Sequence, residues 1–271
     1  MLDENTIRSR LQELQPNVAW CHYYDFGHGV ESVSKDNEPY YTKAFGLKKI
    51  GQQVLASIPH ITKKGDIKEQ TVLDLACAEG VHSNEFAKAG AKRVVGLEGR
   101  QLYVDRSNFA KDALGLTNVE FVKGDVRHIS PDETGTFDIV LFFGILHHLD
   151  ASDWLPMLKS LRAVTNDTMV LYTHTSEEGC LNKFAYKLSD ELVTDDGYHG
   201  RFYREHPDDA DEATRIRRNR NSLDNTFSFW PREDDLIRGL RDAGFDHISR
   251  QMWPNPFGRP SGEFRVLYVC H

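Results

Sequence analysis

The chain has 271 residues, of which 39% are hydrophobic and 27% charged, so it can bury one large core and is not a disordered protein. Its formal net charge of −8 gives no general attraction to nucleic acid or to an anionic membrane. The four cysteines are widely spread without a CxxC pair, which suggests neither a zinc knuckle nor a disulfide framework and favours reduced thiols. A polar N-terminus and the lack of a long apolar run predict a cytoplasmic protein without a signal peptide or membrane span.

The N-terminal part of the chain is predicted to be helical and aromatic. Apolar residues at helical spacing predict an amphipathic helix over Met1–Gln15, and the second half of Pro39–Ile58 has one apolar face. Between these helices lies an aromatic segment, Trp20–Val30, that is rich in rings and histidines. Two interpretations of this aromatic segment stay open: its rings pack on the core, or it forms a lid that contacts a substrate. Residues 1–70 are predicted as a separate N-terminal lid segment.

The stretch Thr71–Gly90 changes its pattern midway. A short β-rich run, Thr71–Leu75, is followed by small residues and then, from Val81, by a helical period. Strand, small-residue turn and helix form the opening unit of nucleotide-binding α/β folds, because small side chains let the backbone approach a ligand closely. The residues of this unit that we predict to contact a nucleotide ligand are Asp74, Ala76, Cys77, Ala78 and Gly80.

An acid ends the second predicted strand. The buried strand Arg93–Leu97 leads directly into Glu98, whose neighbour is Gly99. Nucleotide-binding α/β folds place an acid here to accept both ribose hydroxyls, and the two oxygens of a carboxylate match a vicinal diol. We therefore predict Glu98 and Gly99 as ligand-binding residues. The next predicted elements are the helix Gln101–Leu114 and the strand Val119–Val122, which is closed by Gly124, Asp125 and Val126.

The central elements continue the strand–helix alternation. Phe137–Phe143 is the most apolar strand and is therefore predicted to be central. It leads into Gly144 and a pair of histidines, and the helix Ser152–Val164 follows with Ser152 or Asp150 as its cap. The strand Thr168–Tyr172 comes next and is continued by residues 173–175.

Residues 176–229 interrupt this alternation and are predicted to be an insertion. A helical piece is predicted around Leu181–Leu192. The arginines of the insertion either lie on a solvated helix balanced by nearby acids, or recognise an anionic substrate through guanidinium forks. Beyond it, Trp230 and Pro231 are predicted to open the helix Arg232–Ala243. The arginines are Arg201, Arg204, Arg215, Arg217, Arg218 and Arg220, and the last predicted strands are Asp246–Arg250 and Glu263–Val269, around the loop Pro254–Gly262.

The pattern Asp74, Ala76, Ala78, Gly80 resembles the first motif of the class I S-adenosylmethionine (AdoMet) methyltransferases, whose usual form is acid-x-Gly-x-Gly-x-Gly. The chain departs from that form because alanine, which does not easily take a positive φ, holds two of the glycine positions. The strand and loop of the form FDxVxxxxxLHHL, residues 137–149, resemble the same family. The resemblance covers residues 71–175 firmly and residues 231–270 loosely.

The resemblance implies an α/β, Rossmann-like fold: a seven-stranded, mostly parallel sheet with an antiparallel last strand, helices on both faces, an N-terminal helical lid and an insertion after the fifth strand. Residues 71–271 are then the AdoMet-binding domain, with residues 176–229 as a substrate cap. It also implies that Asp125 accepts a hydrogen bond from the adenine amino group and that Val126 supplies a backbone N–H to the ring. The loop at Phe143 and Gly144 is implied to lie under the methionine part and the adenine.

The leading functional hypothesis is transfer of a methyl group from AdoMet to a small-molecule oxygen or nitrogen. Such an acceptor benefits from a base, and histidine suits that role at neutral pH. Similar O-methyltransferases keep a catalytic histidine after the fourth strand, which implies His147, and His174 at the end of the fifth strand is the alternative. Both histidines packing locally is a further alternative. No metal site is predicted, because the adjacent His147 and His148 share no face on regular structure.

Two other functions stay open. The first is RNA modification, because the aromatic segment is similar to enzymes that modify the wobble uridine of tRNA and the arginines could form the binding patch. The net charge opposes this reading and no RNA-binding module is recognisable, so nucleic acid is not the favoured partner. The second is a non-catalytic AdoMet-binding scaffold. A dinucleotide dehydrogenase is not favoured, because the turn lacks G-x-G-x-x-G. A homodimer is also left open.

Overall fold

The computed structural model describes residues 2–15, 19–38, 40–177, 184, 187–218, 220–251 and 265–271. The described residues form two compact units. The first unit contains the chain up to Val126 together with Phe137–Ile139, and the second contains Arg127–Thr136 and the described residues from Val140 onward. Of the helices in the described ranges, none has both the length and the hydropathy that a bilayer crossing requires.

The first unit alternates strands with helices. The N-terminal helix starts where Asp3 accepts a hydrogen bond from the backbone N–H of Thr6 at 3.0 Å, which satisfies one of the free donors of the first turn. The first strand begins with the β-branched residues Thr71 and Val72, and all but its first residue are buried. The elements of this unit are α1 (Glu4–Glu13), α2 (Tyr40–Ile61), β1 (Thr71–Leu75), α3 (Val81–Lys88), β2 (Arg93–Glu98), α4 (Gln101–Leu114) and β3 (Val119–Lys123).

The strands β1, β2 and β3 pair in parallel. Asp74 lies opposite Gly96, and Glu98 lies opposite Lys123. The ends of β1 and β2 therefore bring the acid-containing turn and Glu98 to the same edge of the sheet. The helix α4 has the bounds that the sequence predicted, whereas α2 occupies the whole of Tyr40–Ile61 rather than only the second half of the predicted range.

The second unit contains most of the remaining elements. Of the two predicted caps, Ser152 and Asp150, it is Asp150 that caps the first helix after β4, by accepting a hydrogen bond from the backbone N–H of Ser152 at 3.0 Å. The elements are β4 (Phe137–Phe143, whose first three residues are grouped with the first unit), α5 (Ala151–Val164), β5 (Thr165–Thr173), β6 (Leu192–Val193), β7 (His199–Arg204), α6 (Glu212–Arg217), β8 (Phe227–Pro231), α7 (Glu233–Asp242), β9 (Ile248–Arg250) and β10 (Val266–Cys270).

The main sheet has seven strands in the order β3-β2-β1-β4-β5-β10-β9. The last strand, β10, pairs antiparallel with both β5 and β9, so that Tyr268 lies opposite Leu171 and Arg250. The predicted Rossmann-like α/β fold, with a mostly parallel sheet, an antiparallel last strand and helices on both faces, is confirmed.

The insertion carries a second, antiparallel sheet in the order β6-β7-β8. Phe202 lies opposite Phe229, and Gly200 lies opposite Pro231. The prediction that Trp230 and Pro231 open a helix is therefore wrong: they end β8, and α7 begins at Glu233. All residues of β8 except Phe227 are buried, and the packing of its aromatic residues against the neighbouring strand β7 outweighs the preference of proline for a helix start.

Two predicted elements fall partly outside the described residues. The helical piece at 181–192 does so at 181–183, 185 and 186, and its predicted end is extended rather than helical, because Leu192 pairs with Gly200 in the insertion sheet. The loop predicted at 254–262 lies wholly outside the described residues, as does the start of the strand predicted at 263–269.

The aromatic segment belongs to the core of the first unit. The rings of Trp20, Tyr24 and Phe26 are buried and pack with Phe109 of α4. The Tyr24 and Phe26 rings stack with their centroids 5.4 Å apart. This arrangement is the one predicted by the interpretation in which the rings pack on the core.

Candidate functional site

The turn after β1 takes a left-handed backbone conformation at every second residue. The φ angles are 53° at Ala76, 48° at Ala78 and 71° at Gly80. Two of these residues are alanines, each of which costs about 1–2 kcal/mol in this conformation. The two alanines take a positive φ although alanine does not easily do so, because hydrogen bonds hold the turn in this conformation. The Cys77 N–H donates to the Leu97 carbonyl at 3.2 Å, and the Gly80 N–H donates to the Cys77 carbonyl at 2.8 Å.

The third position of the turn requires glycine for a second reason. A Cβ atom on Gly80 would lie 2.6 Å from the ring of Phe121, and one on Gly96 of β2 would lie 2.5 Å from the same ring. These distances are below any real Cβ contact, so the Phe121 ring fills the space beside both glycines. The close approach of β2 and β3 to the turn therefore depends on the two missing side chains.

Asp74 is buried and bonds to the start of α3. Its carboxylate accepts hydrogen bonds from the backbone N–H of Ser83 at 3.0 Å and from the Ser83 hydroxyl at 2.6 Å. Burial raises the pKa of Asp74 to about 7, although both hydrogen bonds from Ser83 act in the opposite direction. The predicted motif acid therefore connects the end of β1 to the first turn of α3.

Glu98 lies at the end of β2 and reaches the turn. It is 4% exposed; its Oε2 accepts from the backbone N–H of Ala78 at 2.9 Å, and its Oε1 accepts from the N–H of Arg100 at 2.8 Å. Burial raises its pKa, against the opposing hydrogen bonds from the backbone of Arg100, Ala78 and Gly99. Because a carboxylate oxygen can accept more than one hydrogen bond, both oxygens of Glu98 retain capacity for a pair of hydroxyl donors.

Asp125 and Val126 come directly after β3. The backbone N–H of Gly124 donates to the Glu98 carbonyl at 3.0 Å, so the end of β3 is attached to the end of β2. Val126 is buried and starts a short 3₁₀ helix. The structure thus brings together, within the first unit, Glu98 and the segment that carries Asp125 and Val126.

Glu79 is a charged residue of this turn that the sequence analysis did not select. Its side chain is fully buried and pairs with the equally buried guanidinium of Arg106 at 2.6 Å. It also accepts hydrogen bonds from the backbone N–H groups of Cys21 and His22 at 2.9 and 2.8 Å. The signal in the sequence was an acid within an otherwise small, apolar turn.

The second unit brings together the two predicted catalytic histidines. The Nδ1 atom of buried His147 accepts a hydrogen bond from the backbone N–H of His174 at 3.3 Å and lies 3.1 Å from the Thr173 hydroxyl. Because Nδ1 accepts, the proton of neutral His147 is on Nε2. Burial lowers the pKa of His147 well below its ordinary value, and the neighbouring charges of His148, His174 and Arg265 lower it further.

His174 is held by a cation and by an aromatic ring. Its Nε2 atom accepts a hydrogen bond from Arg265 Nε at 3.0 Å, and its ring stacks on Trp230 with centroids 4.6 Å apart. Trp230 in turn donates from its indole N–H to the His147 carbonyl at 2.8 Å. Neither Trp230 nor Arg265 was selected from the sequence, because their contacts lie far from them along the chain.

Phe143 and Gly144 lie where β4 ends. The backbone N–H of Gly144 donates to the Tyr172 carbonyl at 2.7 Å, and the Phe143 ring makes an edge contact with the Tyr172 ring. Gly144 has a φ of 74°, so the chain turns sharply there. Their predicted contact with AdoMet stays a prediction.

The arginines of the insertion bond largely within it. Arg201 donates to the Ser189 carbonyl at 2.8 Å, Arg204 pairs with Asp208, and Arg215 donates to the Thr226 hydroxyl at 3.1 Å. These contacts favour the structural interpretation of the cluster over recognition of an anionic substrate. Within the described ranges, His, Cys, Asp and Glu side chains form no group of three or more that could hold a metal ion.

A family comparison adds to this geometry. Residues 72–168 match the model of a family described as a methyltransferase domain. This stretch of the chain matches a methyltransferase domain. The matched residues run from β1 into β5, so the domain includes the turn, Glu98 and His147.

Solved structures share the fold of this chain. The N-terminal domain of EvdMO1, crystallised with S-adenosylhomocysteine (SAH) and D-fucose, superposes with a TM-score of 0.72 at 23% identity, covering 100% of this chain and 97% of that one. Magnesium protoporphyrin IX methyltransferase from Synechocystis PCC 6803, with bound SAH, superposes with a TM-score of 0.57 at 17% identity, covering 98% and 94%.

Curated relatives with similar sequences have names that describe tRNA-modifying enzymes. The tRNA U34 carboxymethyltransferase of Actinobacillus pleuropneumoniae serotype 3 is 28% identical over 118 residues, which is 43% of this chain and 35% of the relative. That of Colwellia psychrerythraea is 32% identical over 109 residues, 40% of this chain and 33% of the relative. The match thus spans about a third of the length of these relatives.

The strained alanines of the turn can be tested by glycine substitution. Ala76→Gly and Ala78→Gly should each raise the free energy of unfolding by about 0.5–1 kcal/mol, because the relief of left-handed strain exceeds the extra unfolded-state entropy of glycine. Urea denaturation measures the change. Ala89→Gly is the matched control, since Ala89 has a φ of −71° and the same substitution should lower stability there. Destabilisation by all three substitutions would contradict the strain.

Asp74 should make stability fall with rising pH. Because its folded-state pKa of about 7 lies above the ordinary 3.8, its contribution is present below the unfolded pKa and is lost as the pH rises through 7. Asp74→Asn should remove a slope of up to about 1.4 kcal/mol per pH unit between roughly pH 5 and pH 7, measured by urea denaturation.

Asp138→Asn is the matched control for this measurement. Burial raises the pKa of Asp138, but hydrogen bonds from Thr71 and Lys64 outweigh burial and lower it below 3.8. Asp138 therefore titrates below the pH window and its removal should leave the slope intact. An unchanged slope in Asp74→Asn would show that the charge of Asp74 is not the cause.

Proposed function

We propose that the chain is a methyltransferase that transfers the methyl group of AdoMet to an oxygen or nitrogen of a small-molecule acceptor. The observation that carries this proposal is the pairing of the left-handed turn with the buried carboxylate of Glu98, which accepts from the Ala78 N–H within that turn. The methyltransferase fold and family match support it.

The residues of the first unit fit an adenosyl group. Glu98 can accept the two ribose hydroxyls, since its oxygens keep acceptor capacity at the edge where β1 and β2 end. Its burial disfavours the charged carboxylate, so two hydroxyl donors would stabilise it. The small side chains of Ala76, Cys77 and Ala78, with Gly80, let the ligand approach the backbone. Asp125 and Val126 are the proposed adenine contacts, and Asp74, Cys77 and Gly99 complete the proposed cofactor set.

When bound, AdoMet supplies an activated methyl group on a sulfonium centre with a neutral thioether as leaving group. The chain therefore has to align the acceptor with that methyl group and exclude water rather than activate the methyl group further. A hydroxyl acceptor also loses a proton, which passes to a base as the carbon–oxygen bond forms.

We propose His174 Nε2 as the atom that takes this proton. It accepts from Arg265 Nε in the structure, so its lone pair points at a donor that an acceptor hydroxyl would replace. His147 is less suited to this role, because its Nδ1 is engaged by the His174 N–H and burial lowers its pKa. His147 would instead fix the backbone at residue 174.

The acceptor class is inferred from the whole-chain likeness to EvdMO1. That structure was determined in the presence of SAH and D-fucose, and the match covers 100% of this chain, insertion included. We propose a hydroxyl-bearing small molecule as acceptor, with the insertion as its cap. The bonding of the insertion arginines to their own neighbours and the net charge of −8 support this choice over RNA. A cytoplasmic location and a homodimer are kept as proposals.

A second candidate function is tRNA modification. It is favoured by the similarity to tRNA U34 carboxymethyltransferases, which is limited to about a third of their length. Filter binding of unmodified tRNA at several salt concentrations discriminates the two, because phosphate contacts give a steep fall of affinity with salt. Saturable tRNA binding with such a slope, and methyl or carboxymethyl incorporation into tRNA, would replace the small-molecule proposal. AdoMet retention without turnover on any acceptor would indicate a scaffold.

Glu98 should contribute strongly to AdoMet affinity. Glu98→Ala should weaken binding by about 1–3 kcal/mol, the scale for losing hydrogen bonds to a charged group. Isothermal titration calorimetry with AdoMet and SAH measures it. Glu120→Gln is the matched control, because Glu120 lies on the neighbouring strand β3 and pairs with Arg93 instead of the turn. Equal affinities of wild type and Glu98→Ala would remove Glu98 from the site.

The proposed base makes a separate prediction. His174→Ala should lower kcat by a factor of about 10²–10⁴ with AdoMet affinity unchanged, because only proton transfer is lost. His147→Asn, which can keep an acceptor for the His174 N–H, should lower kcat much less. Steady-state kinetics on a sugar-hydroxyl acceptor panel measures both. Near wild-type kcat in His174→Ala and His147→Ala would end the assignment of a base to either residue.

A further inference from the structure

We propose that Glu79 is a positioning residue for the AdoMet turn: its buried side chain and its carbonyl attach the aromatic segment (Trp20–Val30) to that turn, so that the aromatic segment is a fixed support of the cofactor site rather than a lid. The inference rests on the proposed binding of AdoMet by the turn. It is carried by contacts that lie entirely within the first unit.

The Glu79 carboxylate joins two segments that are distant in sequence. It accepts from the backbone N–H of Cys21 at 2.9 Å and of His22 at 2.8 Å, and it lies 3.2 Å from the His22 Nδ1 atom. On its other side it pairs with Arg106 of α4 at 2.6 Å. The carboxylate is therefore bonded to the aromatic segment and to the helix that follows β2.

Arg106 completes the connection. Its guanidinium donates to the Leu14 carbonyl at 2.8 and 3.0 Å and to the Ala19 carbonyl at 3.3 Å, and it lies 5.0 Å from the centroid of the Trp20 ring. Its charge is thus balanced by Glu79 and its remaining donors are used by the end of α1 and the start of the aromatic segment. A buried guanidinium with so many partners fixes the geometry of everything that it touches.

The backbone of Glu79 is held as well. The hydroxyl of Tyr24 donates to the Glu79 carbonyl at 2.6 Å, and Asn84 Nδ2 of α3 donates to the Tyr24 hydroxyl at 3.0 Å. Glu79 lies between Ala78 and Gly80, which both have left-handed φ angles. The aromatic segment therefore bonds to Glu79, the residue between two left-handed residues, at both its side chain and its carbonyl.

These contacts explain how the turn keeps an unfavourable conformation. Alanine keeps a left-handed conformation only where the surrounding structure fixes it, and the contacts of Glu79 fix the backbone beside Ala78. The same conformation aims the Ala78 N–H at Glu98, the proposed ribose ligand. A change in the aromatic segment is thereby transmitted through Glu79 and Ala78 to the carboxylate that binds the cofactor.

A purely stabilising role fits the buried pair less well. Burying two charges costs desolvation that their attraction does little more than offset, so an apolar pair would serve stability at least as well. The charge of Glu79 is nevertheless maintained: burial raises its pKa, but the hydrogen bond and charge of His22 and the charge of Arg106 outweigh burial and lower the pKa below its ordinary value. A group held charged and fully bonded is suited to fix one geometry.

Tyr24→Phe tests the connection without removing a charge. It keeps the buried ring and deletes the hydroxyl that donates to the Glu79 carbonyl and accepts from Asn84 Nδ2. Calorimetry should show a rise of about fivefold in the Kd for AdoMet, the scale of one neutral hydrogen bond, while kcat at saturating AdoMet stays within about twofold of wild type. Tyr23→Phe is the matched control, because the Tyr23 hydroxyl donates to Glu31, the residue that follows the aromatic segment, and not to the Glu79 carbonyl.

Glu79→Gln extends the test to the charge. It should raise the Kd for AdoMet more than Tyr24→Phe does; if it does not fold, Tyr24→Phe decides alone. Wild-type affinity in Tyr24→Phe, together with wild-type binding of AdoMet by the unmodified chain, would overturn the positioning role and leave the proposed function standing. No AdoMet binding by the unmodified chain at millimolar concentration would overturn both.

Discussion

The conformation of the turn at residues 76–80 is the constraint on which the rest of the first unit depends. Left-handed φ angles at Ala76, Ala78 and Gly80 turn the backbone so that the Ala78 N–H meets the Glu98 carboxylate, while Glu79 between them is directed into the core. One face of the turn is thereby a polar edge suited to a ligand, and the other is a buried anchor. Contacts from segments before and after the turn keep the two alanines in their strained conformation.

Much of the fold could be predicted from the sequence because its signals are local. The bounds of α4 and β4 follow from periodicity and from a continuous apolar run, and Asp150 is a cap recognisable by its position. Trp230 and Pro231 show where local signals fail. The preference of proline for a helix start is local, whereas the strand pairing of Pro231 with Gly200 depends on a residue far along the chain. Pairing partners far along the chain leave no mark on a short window of sequence.

The candidate site divides in the same way. Glu98 could be predicted because an acid after a second strand has a fixed place in such folds, and the structure places its carboxylate against the turn. The role of Glu79 could not, because it is defined by partners at Cys21, His22 and Arg106. His147 and His174 were both selected from the sequence as candidate bases, but which nitrogen of each ring accepts a hydrogen bond depends on Arg265 and on a backbone N–H.

The buried pair of Glu79 and Arg106 also limits how the chain can be divided. The segment that matches the methyltransferase family starts at residue 72. The backbone groups of the N-terminal part that bond to the Glu79 and Arg106 side chains lie before that residue. A fragment cut to that segment would leave Glu79 without the N–H groups of Cys21 and His22, and Arg106 without the Leu14 carbonyl. During synthesis, too, the N-terminal residues cannot dock until α4 has emerged. The unit that satisfies both buried charges is thus larger than the matched segment inside it.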